Sequence, residues 1–178
     1  ALLAENRRAD ATGAPLERRG MHTTGLVVKA GERVICLYRS GRAHAGDNLS
    51  ALLARREAGR DPPIVMSDAL AADRRDDDDS LTRCHCLAHG RRQFTDLEAV
   101  FPAESHHVIT VLNHVFEHEA ATRALSAAER LAYHRAHSGP PLAALREWLE
   151  RQLQDRAVEP DSSLGQAFAY LLKRWETL

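Results

Sequence analysis

The sequence predicts an α/β segment followed by an all-helical one. Three observations carry this expectation. Short β-rich runs separated by turn residues occupy the chain up to about residue 84. Beyond residue 86 apolar residues recur at helical spacing. Capping and proline signals then punctuate the second part at intervals suited to separate helices. With 178 residues, 44% of them hydrophobic and 28% charged, the chain is long enough to bury one core and reads as globular.

Residues 1–20 carry four arginines, Gly13 and Pro15 without a sustained apolar period, and read as a lead-in loop. Thr23-Thr24-Gly25-Leu26-Val27-Val28 and Arg33-Val34-Ile35-Cys36-Leu37-Tyr38 flank Lys29-Ala30-Gly31-Glu32, a hairpin signal. Leu49, Leu52 and Leu53 mark one face of a short helix over 45–57, which Pro62-Pro63 ends. Ile64-Val65-Met66 reads as a short buried strand, with Asp68 at its carboxyl end, where α/β sheets place functional groups. The run Asp76 to Asp79 reads as a solvated loop, and residues 81–84 as a weak strand.

Five helices are expected after residue 86. Leu87, Phe94, Leu97 and Phe101 mark the first, and Val108, Val111, Leu112, Val115 and Phe116 the second. Ser126 with Glu129 is a capping box for the third. Pro140-Pro141 opens the fourth, whose apolar face holds Leu142, Leu145, Trp148, Leu149 and Leu153. Ser162 or Ser163 caps the fifth, which carries Leu164, Phe168, Leu171, Leu172 and Trp175. The two tryptophans sit on amphipathic faces and are expected in the core.

Net charge is −1, so bulk charge does not announce nucleic acid. Basic residues are nearly all arginine, many in pairs such as Arg55-Arg56 and Arg91-Arg92, with only Lys29 and Lys173 as lysines. Arginine's planar fork suits phosphate, although a GC-rich genome produces the same bias. Three cysteines, two of them nearly adjacent, do not form a secreted disulfide framework and fit a reducing cytoplasm. No apolar run reaches membrane-spanning length, and the first residues turn charged too early for a signal peptide. No membrane partner is therefore expected.

The densest chemistry lies in Arg83-Cys84-His85-Cys86-Leu87-Ala88-His89-Gly90-Arg91-Arg92-Gln93-Phe94, downstream of Pro63-Ile64-Val65-Met66-Ser67-Asp68-Ala69-Leu70. Further blocks are Met21-His22-Thr23-Thr24-Gly25-Leu26, Gly41-Arg42-Ala43-His44-Ala45-Gly46-Asp47-Asn48-Leu49, Arg130-Leu131-Ala132-Tyr133-His134 with His137-Ser138-Gly139-Pro140, and Val158-Glu159-Pro160-Asp161-Ser162-Ser163-Leu164-Gly165. Six dispersed blocks in order are far more specific than one short motif. Together they resemble a family of bacterial insertion-sequence transposases of the DDE type, the insertion-sequence sixty-six type, almost end to end.

The resemblance implies an RNase H-like core over 21–100 that lacks its first strand, followed by a helical insertion or extension over 101–178. It implies DNA transposition by Mg2+-dependent strand cleavage and transfer, with transposon ends and target DNA as partners and a homo-oligomer as the active complex. Asp68 matches the second carboxylate of the catalytic triad and would be a metal ligand. Cys86 and His89 resemble the Cys-x-x-His that braces a helix beside the site. Arg91 and Arg92, one turn into that helix, would contact phosphate. The family's first Asp, in an Asp-Thr motif, and its Glu, after Asp-Asn-Asn, are not found in the chain. The chain is therefore expected to be a central fragment, inactive by itself.

Three other readings compete. A non-enzymatic transposase remnant, or a helical module binding DNA or a partner, needs no triad at all. Cys84, His85, Cys86 and His89 offer zinc-type ligands, completed at best by His106-His107. Four candidates within six residues do not close one tetrahedron easily, and Cys84 and His85 read as incidental. His114-Val115-Phe116-Glu117-His118 spells the H-x-x-E-H of an inverzincin metallopeptidase, with Glu176 as a nominal third ligand. The bland alternative makes these polar residues surface positions, with Val115 and Phe116 facing the core.

Overall fold

A computed structural model of the chain describes residues 21–41, 43, 45–57, 59–68 and 81–178. The expected lead-in over 1–20 and the four-aspartate run lie outside the described residues. Among those described, the protein is mixed α/β and mostly helical, with two two-stranded sheets and six α-helices. They fall into two compact units, the first within 1–63 and 69–82, the second within 64–68 and 83–178.

The first unit is the expected hairpin with one helix. β1 (His22–Ala30) and β2 (Arg33–Gly41) pair antiparallel, from His22 opposite Gly41 to Ala30 opposite Arg33. The two-residue turn begins with Gly31 at φ +58°, a conformation glycine reaches without a Cβ penalty. α1 (Ala45–Leu53) is tied to the hairpin through its buried Asn48, whose Nδ2 donates to Thr24 Oγ1 at 2.8 Å. Val27, Val34, Ile35 and Tyr38 remain exposed.

The second unit holds β3 (Ile64–Ser67), all but the first residue of β4 (Thr82–His85) and five helices. The Thr82 N–H donates to Pro63 O and the Cys86 N–H to Ser67 O, each at 2.9 Å. Both strands advance together between these bonds, which makes the ladder parallel. The expectation of a buried strand at 64–66 is corrected here: Ile64 is 74% and Met66 68% exposed. Only the alternate positions, Val65 and Ser67, are half-buried, because side chains on a strand point to opposite faces and only one face is covered.

α2 (Leu87–Thr95) follows β4 directly, and turns carry the chain from it to α3 (Pro102–Ala121), which starts on a proline as that position tolerates. α4 (Ala127–His137) has the expected capping box: Ser126 Oγ accepts from the Glu129 N–H, and the Glu129 carboxylate accepts from the Ser126 N–H. α5 (Gly139–Gln154) begins at the two prolines, α6 (Ser163–Lys173) is capped by Ser162, and a 3-10 turn follows at Trp175–Thr177.

These helices bury Phe94 from α2, Val108 and Leu112 from α3, Leu145 and Leu149 from α5, and Leu164, Phe168 and Leu171 from α6. The Phe94 and Phe168 rings lie 6.0 Å apart, and Trp148 meets Phe168 edge-on at 5.5 Å. Trp148 and Trp175 both pack against this core, as their spacing predicts. Phe116 does not: it is 37% exposed, turned to a flank of α3 where a guanidinium covers it.

Candidate functional site

Asp68 follows the last residue of β3, and Cys86 follows the last residue of β4. The bond from the Cys86 N–H to Ser67 O joins the two strand ends, so the aspartate and the Cys-x-x-His motif sit on adjoining ends of one parallel pair. Cys86 is the N-cap of α2. Its side chain makes no cap bond, and its carbonyl receives the His89 N–H at 3.0 Å and the Gly90 N–H at 3.4 Å. It thus acts as the joint from strand to helix. His89 lies in the first turn of α2 and is exposed.

Gly90 of the same motif has a packing reason. A Cβ there would lie 2.7 Å from Leu171 Cδ2 of α6, so any larger residue would force the Leu171 side chain to move. α6 is also fastened near both strand ends. His85 Nδ1 meets Thr177 Oγ1 at 2.6 Å, and the Tyr170 hydroxyl donates to the Asp68 carbonyl at 3.3 Å. His85, read as incidental, is therefore a tether of the C-terminal turn.

The two arginines separate in role. Arg91 Nη1 donates to Asn113 Oδ1 at 2.8 Å, and its guanidinium stands 5.8 Å from the centre of the Phe116 ring. It joins α2 to α3. Arg92 is exposed and only loosely paired with Asp96, at 3.8 Å one turn on. An exposed cation of this kind costs little to redirect towards a phosphate.

The rival metal sets do not come together. Among the described residues no three His, Cys, Asp or Glu side chains are arranged to hold a metal ion. The His107 ring packs tilted against Trp148 with centroids 4.5 Å apart, and Glu176 accepts from Arg146 Nη1 at 2.6 Å. His118 belongs to a network instead. Its Nδ1 lies 3.0 Å from Ser138 Oγ, whose other neighbour is His134 Nδ1 at 2.9 Å; His134 Nε2 is 3.2 Å from a Glu119 carboxylate oxygen. A carboxylate only accepts, so Nε2 of His134 carries the proton. Ser138 Oγ thus bridges the Nδ1 atoms of His118 and His134.

Glu119 also pairs with Arg130. The Arg130 hydrogen bond, with a smaller contribution from His134, holds the Glu119 carboxyl below its ordinary value of 4.5 against a partial desolvation penalty. Ser138 is buried where α4 gives way to α5, so this network fixes a helix corner. Sequence reasoning missed it because it lies across α3, α4 and α5. The block Tyr133-His134 with His137-Ser138 was the available signal.

The described site is thus a carboxylate on a parallel strand end, beside a strand-to-helix joint and a helix carrying one exposed arginine. Its class is a mixed α/β protein, mostly helical among the described residues. A family model described as Transposase IS66 family matches residues 8–178, and the chain belongs to that family. Comparison with curated proteins and with solved structures gave no significant match. No helix among the described residues is long and apolar enough to cross a membrane.

Proposed function

We propose that this chain is the middle of a DDE transposase catalytic domain and that Asp68 is its second catalytic carboxylate. The observation that carries the reading is the placement of Asp68 on a parallel strand end joined directly to the Cys86 helix start, within a transposase family match of nearly the whole chain. An antiparallel hairpin and a separate parallel pair are the pairings an RNase H-like sheet keeps on either side of its first strand. The observed β1–β2 and β3–β4 pairs support that reading.

The donor chemistry fits magnesium in part. A strand-end carboxylate is a hard oxygen ligand of the kind Mg2+ takes from proteins, usually one or two alongside waters and phosphate oxygens. Asp68 would supply one such ligand; the other carboxylates belong to the Asp-Thr and Asp-Asn-Asn…Glu segments of a longer protein. Bound magnesium would polarise the attacked phosphodiester and ease ionisation of the attacking hydroxyl. The chain's own contributions are a platform for one carboxylate and the exposed Arg92 of α2 for a DNA phosphate. Cys86 and His89 shape the strand-to-helix joint, and Arg91 braces α2.

The test is strand cleavage and transfer on transposon-end DNA with magnesium. The intact transposase is expected to be active and the 178-residue chain inactive. Strand transfer by the chain alone would refute the incomplete-triad reading.

A further inference from the structure

We propose that Tyr170 is a positioning residue for Asp68, making the helical region the holder of the catalytic carboxylate. This rests on the reading of Asp68 given above.

At the end of β3 the Cys86 N–H bonds to Ser67 O. One residue further on, the Asp68 carbonyl receives the Tyr170 hydroxyl instead, across 102 residues of sequence. A carbonyl held at this point fixes the peptide plane that follows Asp68, and with it the direction in which the Asp68 side chain leaves the backbone.

Tyr170 is itself held. The Arg174 guanidinium stands 4.1 Å from the centre of its ring, and Arg174 Nη1 donates to the Tyr170 carbonyl at 3.3 Å. On the side of α2, Tyr170 Cε1 lies 4.0 Å from where a Cβ of Gly90 would be, beside the closer approach of Leu171. A third fastening, His85 to Thr177, anchors the end of the same segment to β4. A hydroxyl on a ring held in this way loses less freedom when it bonds a backbone carbonyl than one on a free side chain.

Tyr170→Phe keeps the ring and removes only the hydroxyl. Two measurements test the proposal. In the 178-residue chain, amide hydrogen exchange over residues 64–68 is expected to quicken about three- to ten-fold, as expected for losing one hydrogen bond. Exchange in α3 and α5 should change less than exchange over 64–68, and the melting temperature should fall by no more than about 2–4 °C. In the intact transposase, kcat for strand transfer is expected to fall by a similar factor while the Kd for transposon-end DNA is unchanged, and Asp68→Asn should abolish transfer.

Unchanged exchange over 64–68 overturns the proposal, as does a uniform rise across the chain, which would mean Tyr170 only stabilises the fold. If Asp68→Asn abolishes transfer and Tyr170→Phe leaves kcat at wild type, the positioning role fails and the role of Asp68 stands. If Asp68→Asn transfers strands normally, the reading of Asp68 fails, and exchange over 64–68 still decides whether Tyr170 tethers it.

Discussion

Gly165→Ala sets helix propensity against steric fit at one atom. Gly165 lies in the first turn of α6, and its N–H donates to Ser162 Oγ at 3.0 Å. On propensity alone, alanine in a helix is favoured over glycine by about 0.5–1 kcal/mol. The structure predicts the opposite sign. A Cβ at position 165 would lie 2.6 Å from Pro160 O and 2.8 Å from Pro160 C, and closer still to Glu159 O. These are backbone atoms, and no rotamer relieves the clash. Glu159 O also accepts from the Ser162 N–H at 3.0 Å and the Ser162 hydroxyl at 2.6 Å. Moving it away loosens the cap.

Overpacking of this kind costs about 1–3 kcal/mol, and each weakened hydrogen bond about 1 kcal/mol more. After the propensity gain, a net loss of about 2–4 kcal/mol is expected. Guanidinium denaturation of the wild type and Gly165→Ala measures it, with the exposed Ala169→Gly as a control for propensity in the same helix. A Gly165→Ala protein as stable as the wild type, or more so, would refute the steric argument.

Other perturbations follow from the same contacts. Phe94→Ala removes a fully buried ring that packs on Phe168 and should cost about 3–5 kcal/mol by the same denaturation assay. Arg91→Ala loses the Asn113 bond and the cation–π contact with Phe116 and should destabilise the fold by about 1 kcal/mol. Arg92→Ala should leave stability unchanged but weaken DNA binding by the intact transposase, lowering the slope of log Kd against log salt by about one. Glu119 is held below its ordinary carboxyl value, so its contribution is present above pH 4.5 and lost as pH falls through its lowered value. Wild type and Glu119→Gln should therefore differ at neutral pH, by about 1 kcal/mol at most for so exposed a pair, and converge in acid.

The helices were legible in the sequence because their ends carry local chemistry. Ser126 with Glu129, Pro140-Pro141 and Ser162 each mark a helix start where the structure has one. The hairpin was legible from its turn and β-branched flanks, though both strands run further than the apolar runs suggest. Burial was harder to read. An apolar triplet at 64–66 looks buried in sequence, but cover for its outer face is a tertiary matter, and Ile64 and Met66 remain exposed. Phe116 fitted the helical period of Val108 and Leu112, yet it lies at the edge of that stripe, under Arg91.

The site divided in the same way. Asp68 and Cys86 were found through their motifs, and the structure joins their strand ends. Arg91 and Arg92 looked equivalent as neighbours. They differ because successive helical residues point about 100° apart, which turns one towards Asn113 and leaves the other exposed. Tyr170 was invisible as a site residue, since nothing local marks a hydroxyl that reaches a carbonyl 102 residues away.

The most direct test of the central claim is Asp68→Asn in the intact transposase, assayed for strand transfer with magnesium alongside binding to transposon ends. The substitution keeps the side chain's shape and removes its charge. Loss of a metal-ligating carboxylate is worth several kcal/mol of transition-state stabilisation, so transfer should fall at least about a hundred-fold with end binding intact. Transfer at the wild-type rate would contradict the assignment of Asp68, and with it the account of this chain as the middle of a DDE catalytic domain.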